Sequence, residues 1–145
     1  AELGAISAGG SEEYVERARK FGEIVGECFQ IRDDIFDYFS DSQIGKPTGN
    51  DMREGKLTLP AIYAINHAED QSVREWAMRV KNGQADDNDI HSLVDYTISH
   101  GGISYAEKRM DDLHKEALDM LAAWTNPDVK KALTDYIDFV VERNL

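Results

Sequence analysis

The sequence predicts an all-α protein, a helical bundle with no strands. Apolar residues recur every three or four positions over most of its 145 residues, the period of a helix with one buried face. No four-to-eight-residue stretch alternates cleanly between apolar and polar positions, so strands are hard to place. Prolines are confined to Pro47, Pro60 and Pro127, which leaves room for long helices. With 41% apolar residues the chain can bury one core, and one domain is expected.

Taken in order, the first helix runs from Ala1 to Ala8 and stops at Gly9-Gly10, glycine being the residue that ends helices most easily. Ser11 followed by Glu12 and Glu13 is an N-cap with an acidic first turn. From there Tyr14, Val15, Ala18, Phe21, Val25, Cys28, Phe29, Ile35 and Phe36 repeat at three and four, predicting one long helix from Glu12 to Phe39. Ser40 to Lys56 is polar and glycine-rich and reads as an irregular loop. Helix resumes at Thr58, with Pro60 tolerated in its first turn, and runs to Asn66. Further helices are expected over Asp70–Lys81, Asp87–Ser99, Ile103–Ala123 and Asp128–Arg143. Asn82-Gly83, Gly101-Gly102 and Asn126-Pro127 separate them. Trp76, Trp124, Tyr96, Tyr105 and Tyr136 are assigned to the core or to interfaces, and Met110, Leu113, Ala117, Leu118 and Leu121 form a core stripe.

Asp and Glu outnumber Lys and Arg 28 to 16, a formal net charge of -12. Such a surface repels nucleic-acid backbones and anionic lipid, so an anionic ligand needs local cations or a metal. The single cysteine, Cys28, lies in an apolar run and is expected to be a buried small hydrophobe in a reducing compartment. No apolar run is long enough to span a membrane, and the N-terminus lacks the basic-then-apolar pattern of a signal peptide. A cytoplasmic location is expected. The chain starts with Ala1 in what reads as the interior of a helix, a hint of truncation.

The chemistry concentrates in Gln30-Ile-Arg-Asp33-Asp34-Ile-Phe-Asp37. On a helix Asp33 and Asp37 are one turn apart, as are Asp34 and Asp37, so the three carboxylates share one side. Their repulsion costs about a few tenths of a kcal/mol per pair, and the macrodipole at a helix C-terminus also opposes them. A positive partner is required. Oxygen donors without neighbouring His or Cys suit a hard cation, and a few carboxylates that leave room for water and phosphate suit magnesium better than calcium. A solvated acidic face is the competing reading, since such faces are common. The interleaved Ile31, Ile35, Phe36 and Phe39 bury the opposite side and turn the acidic stripe toward a cleft or a partner. Downstream, Gly45, Gly49 and Gly55 let backbone approach an anion, and Lys46 and Lys56 could clamp a diphosphate. Neither lysine completes a phosphate-binding P-loop: Ser40 and Asn50 stand where its first glycine is needed, and Pro47 and Leu57 where Ser or Thr is needed.

The run Cys-Phe-Gln-Ile-Arg-Asp-Asp-Ile-Phe-Asp, followed by Gly-Lys-Pro-Thr-Gly-Asn-Asp-Met-Arg-Glu-Gly-Lys-Leu-Thr-Leu-Pro, covers Cys28 to Pro60. It resembles the second aspartate-rich motif and following loop of trans-isoprenyl (polyprenyl) diphosphate synthases. Ala1 to Gly9 is similar to the small-residue helix before that motif, and Asp138 to Arg143 to the chain end of bacterial long-chain, octaprenyl-type members, so the similarity covers the whole chain. The resemblance implies the C-terminal part of the isoprenoid synthase fold over residues 1–145. It also implies a prenyltransferase that condenses isopentenyl diphosphate with an allylic diphosphate. By the same resemblance Asp33 and Asp37 ligate Mg2+ on the allylic diphosphate, and Asp34 holds coordinated water or an ion partner. Gln30 supports the diphosphate or the developing cation, Lys46 contacts diphosphate oxygens, Asp51 joins the metal–water shell and Lys56 pairs with the aspartates.

Family members are longer and carry a first aspartate-rich motif and basic residues for isopentenyl diphosphate upstream. Asp86-Asp87-Asn88-Asp89 is better read as loop and N-cap, and Asp111-Asp112 also fails to supply the motif. This chain alone is therefore not expected to complete the condensation. It is expected to associate with the missing N-terminal half or to form a homodimer, exposing apolar surface when alone. Two other readings stand beside the enzyme: a non-catalytic helical subunit of a heteromeric synthase, and a class I terpene cyclase. The intact acids and lysines argue against the first, and a second motif of three aspartates, without Asn, Ser or Thr, against the second. His67, His91, His100 and His114 lack zinc-ligand spacing and are assigned ordinary roles.

Overall fold

A computed structural model describes residues 1–39 and 48–143 of the chain. Among them are eight helices: α1 (Glu2–Ser7), α2 (Glu12–Phe36), α3 (Asn50–Arg53), α4 (Leu59–Asn66), α5 (Gln71–Lys81), α6 (Asp87–Ser99), α7 (Gly102–Ala122) and α8 (Pro127–Glu142). No strand occurs among the described residues. The fold is all-α, as the periodicity predicts.

The starts obey local chemistry. Ser11 Oγ accepts from the Tyr14 amide at 3.3 Å ahead of α2. Asp70 caps α5, and Asn126 caps α8 with Pro127 in the first turn. Asp86 and Asp89 form a reciprocal capping box at the start of α6, which makes this acidic run the N-cap expected of it. Each such cap is worth about 1 kcal/mol.

Two departures concern the functional segment. The long helix ends at Phe36, three residues early, and Tyr38 and Phe39 donate instead to Ile35 and Phe36 in tighter turns. The stretch expected to be irregular up to Lys56 contains α3. Both have one cause: the Asp37 carbonyl accepts from the Gly49 amide at 2.8 Å, which draws the backbone out of α2 to meet α3.

The chain divides into two compact units. One comprises Ala1–Arg32 and the segment from Arg109 onward. There Phe21, Ile24, Val25 and Cys28 of α2 are buried, as are Leu113, Ala117 and Leu121 of α7 and Ile137 and Val140 of α8. Trp124 packs its ring against Tyr14 and Phe21, with centroids 5.1 and 6.2 Å away. His114 Nε2 lies 2.7 Å from Asp138 Oδ1, joining α7 to α8. Arg143 doubles back on α2: its guanidinium lies 4.0 Å from the Phe29 ring centre, and Arg32 donates to its carbonyl through Nε and Nη2. Phe29 is thus a half-exposed platform rather than core, and Tyr136 also stays exposed.

The other unit, Asp33–Lys108, holds the acidic segment and α3–α6. Leu93, Val73, Val80, Thr97 and Pro60 are its largest fully buried side chains, and Ile35, Tyr38, Met52, Ala61 and Val94 are buried as well. Gly102, the first residue of α7, leaves no room for a side chain, because a Cβ there would lie 2.6 Å from the Pro60 carbonyl oxygen and 2.7 Å from Thr97 Cγ2. Tyr105 stacks on Tyr63 at 4.2 Å and stays partly exposed, an outer-surface contact. Arg53 of α3 pairs with Asp87, and Arg79 of α5 reaches Asp89 at 2.8 Å, so two short helices are tied to the start of α6. No helix among the described residues is long and apolar enough to cross a membrane.

Candidate active site

Asp33 and Asp34 occupy the last turn of α2, with Asp37 just beyond it. Asp34 is only 6% exposed, and Asp33 and Asp37 are half-buried. Ile31, Ile35 and Tyr38, which flank and interrupt them in the sequence, are buried. Three carboxylates this withdrawn from water at a helix C-terminus are not a solvated surface stripe; burial raises the cost of their charge and the demand for donors or cations around it.

Asp37 shows how one of them is satisfied. Its Oδ1 accepts from the Asn50 amide at 3.1 Å and from Asn50 Nδ2 at 3.2 Å. Its Oδ2 accepts from the Asp51 amide at 3.0 Å. The carboxylate thus serves the first amides of α3, where unpaired donors and a partial positive charge favour an anion. Gly49 makes the approach possible. Its φ of 73° lies in the left-handed region, and a Cβ would stand 2.9 Å from Ile90 Cγ2 and 3.1 Å from Val94 Cγ2.

Directly after Asp37, Tyr38 is buried with its hydroxyl hydrogen-bonded to Thr58 and Thr97. Burial pushes that hydroxyl up to about 12, against the opposing pull of the two threonines. Thr58, the N-cap residue of α4, makes no side-chain bond to its own helix; its side chain meets Tyr38 instead, which links the segment after α2 to α4 and, through Thr97, to α6.

The other expected residues are distributed unevenly. Asp51 joins the group through the backbone bond to Asp37. Gln30 lies on α2 three and four residues before Asp33 and Asp34, exposed. Lys56 differs from expectation: its ammonium sits on Glu54 at 2.7 Å instead of on the aspartates, because that carboxylate is two residues away in an exposed turn. The Glu54 hydrogen bond and charge, with a smaller contribution from Asp51, hold Lys56 above its usual value. Lys46 lies outside the described residues. Among the described residues no three or more His, Cys, Asp or Glu side chains close around a common point.

Asn50, Gly49, Tyr38 and Thr58 also shape this corner, although their sequence signals are faint. A glycine followed by Asn-Asp within a polar run marks a turn, but not which carboxylate the turn will meet.

Comparison with known proteins gives the same family as the motif. The family model for polyprenyl synthetases matches residues 1–97. A geranylgeranyl pyrophosphate synthase from Bacteroides thetaiotaomicron superposes with a TM-score of 0.92 at 46% identity, over 99% of this chain and 46% of that one. A synthase of the same type from Corynebacterium glutamicum, complexed with isoprenyl diphosphate and magnesium, gives 0.78 at 31% identity, over 98% of this chain and 41% of that one. The short chain isoprenyl diphosphate synthase of Methanothermobacter thermautotrophicus is 33% identical over 143 residues, 98% of this chain and 43% of its own length. The chain therefore spans less than half of the relatives it matches. The motif, the helical architecture and a family match across most of the sequence agree that this chain belongs to the polyprenyl synthetase family.

Proposed function

We propose that the chain supplies the metal–diphosphate half-site of a trans-polyprenyl diphosphate synthase, which condenses isopentenyl diphosphate with an allylic diphosphate. In this reading residues 1–145 are the C-terminal portion of one polyprenyl synthase domain. The rest of the domain brings the first aspartate-rich motif and the residues for isopentenyl diphosphate. The assembled enzyme is a cytoplasmic homodimer.

The observation that carries this reading is the junction at Asp37, where hydrogen bonds bring two distant acidic segments, Asp33–Asp37 and Asn50–Asp51, to one corner. Its donors are oxygens, the ligands of a hard cation. Among the described residues the carboxylates do not close into a cage, so a cation here takes part of its shell from elsewhere. Magnesium suits that arrangement, because it keeps waters and shares its shell between one or two carboxylates and substrate phosphates. Asp33 and Asp37 would ligate it, Asp34 would hold a coordinated water or an ion partner, and Asp51 would complete the outer shell. Magnesium, when bound, neutralises charge on the departing diphosphate. The chain's own residues orient that group: Gln30 supports it from one turn earlier, and Lys46 and Lys56 contact its oxygens. Lys56 can move there because its bond to Glu54 lies in exposed solvent, where ion pairs are weakly held. These cations stabilise the leaving group more than the intact ester, the condition for acceleration.

The test is chain elongation. With the rest of the domain present, the protein should convert an allylic diphosphate and isopentenyl diphosphate to a longer prenyl diphosphate only with divalent metal. Replacing Asp33 by Ala should lower kcat by about 100-fold or more, the scale of losing one preorganised electrostatic contact. Elongation at the parent rate in Asp33→Ala would refute the assignment.

A further inference from the structure

The Asp37 carboxylate has three described donors, and only one is a side chain. A carboxylate offers about four acceptor positions, two on each oxygen. On Oδ1 both are engaged, by the Asn50 amide at 3.1 Å and Asn50 Nδ2 at 3.2 Å. On Oδ2 the Asp51 amide takes one at 3.0 Å. The two backbone donors follow from the start of α3 and survive any side-chain replacement. Asn50 Nδ2 is the donor that the residue's identity controls.

We propose that Asn50 is a positioning residue that restricts Asp37 to a single-oxygen contact with a divalent cation and so biases the site toward magnesium over calcium. The inference rests on the functional reading given above. A bidentate contact needs acceptor positions on both oxygens, and Asn50 occupies Oδ1 twice. A single-oxygen contact through Oδ2 remains compatible with all three bonds. Magnesium takes carboxylates one oxygen at a time in a near-octahedral shell, whereas calcium readily accepts both. Asn50 has little freedom to release Oδ1. It follows Gly49, which is wedged against Ile90 and Val94, and α3 is tied to α6 by the Arg53–Asp87 pair.

Calorimetric titration of the purified protein with Mg2+ or Ca2+, each with inorganic pyrophosphate, tests this in the parent, Asn50→Ala and Asn50→Asp. In Asn50→Ala the ratio of magnesium to calcium affinity should fall about 10-fold, the lower end of what outer-shell partners of metal ligands contribute. The thermal melting temperature should hold, because the backbone donors remain. Asn50→Asp, which sets a carboxylate against Asp37, should lower the ratio further. An unchanged ratio in both variants overturns the inference. So does equal weakening for both metals with a lower melting temperature, which would make Asn50 merely structural. If the parent itself shows no metal-dependent pyrophosphate binding, the parent reading falls and takes this inference with it; a binding parent with an unchanged ratio removes only the role of Asn50.

Discussion

Asp37 and Tyr38 are consecutive residues that hold the acidic corner in different ways, one through charge and one through a buried hydroxyl. Tyr38 gives a test with a definite sign. Its hydroxyl rises from an ordinary 10.0 to about 12 on folding, chiefly through burial. A group whose value is raised in the folded state contributes stability that is complete below the unfolded value and lost as pH climbs through the folded one. Denaturant unfolding should therefore lose about 2–3 kcal/mol between pH 10 and 12 on account of this residue. Tyr38→Phe should show a shallower decline over that range, and parallel curves for the two proteins would contradict the assignment. In the sequence Asp33, Asp34 and Asp37 announced themselves by helical spacing between apolar neighbours. Asn50 and Thr58 did not, because their value lies in which group a distant turn brings to them, and local pattern carries no such information.

Helices were legible where their ends are chemically marked. Ser11 and Asp86 are caps legible in the sequence; Asp70, expected as a first helical residue, and Asn126, expected as a break, prove to be caps as well. α3 escaped because four residues are too few to show a period, and its first amides are served by Asp37 rather than by a local cap. The neighbouring backbone bond, from the Gly49 amide to the Asp37 carbonyl, draws the chain out of α2 early, so contacts of one residue account for both misplaced boundaries. Glycines show a similar split. Gly101-Gly102 reads as punctuation, yet only Gly101, with φ of 80°, is a turn glycine, while Gly102 is a packing residue at the start of α7. Gly102→Ala must push a methyl against the Pro60 carbonyl and Thr97, both buried. It should destabilise the fold by about 1–3 kcal/mol, the usual cost of overpacking, measurable as a shift in the urea midpoint. A neutral substitution would mean that α4, α6 and α7 separate more easily than their packing implies.

At the scale of the whole chain, the helical class and the family were readable from periodicity and a single motif region. The division into two compact units was not, since both are built from amphipathic helices and α2 and α7 each contribute to both. The unit Asp33–Lys108 contains Asp33, Asp34, Asp37 and Asp51, so the described acidic residues of the proposed half-site belong to one folded body. In the other unit Leu3, Ile6, Tyr136 and Phe139 remain exposed apolar residues, in keeping with a chain that spans less than half of its relatives. The central claim is that this chain holds a diphosphate through a divalent metal. Its most direct test is titration with a nonreactive allylic diphosphate analogue, with and without Mg2+, in the parent and in Asp33→Ala. Saturable binding that requires the metal and weakens at least about 10-fold in the variant, with the fold intact by circular dichroism, is the predicted result. Binding that ignores the metal, or survives loss of Asp33 unchanged, would contradict the account.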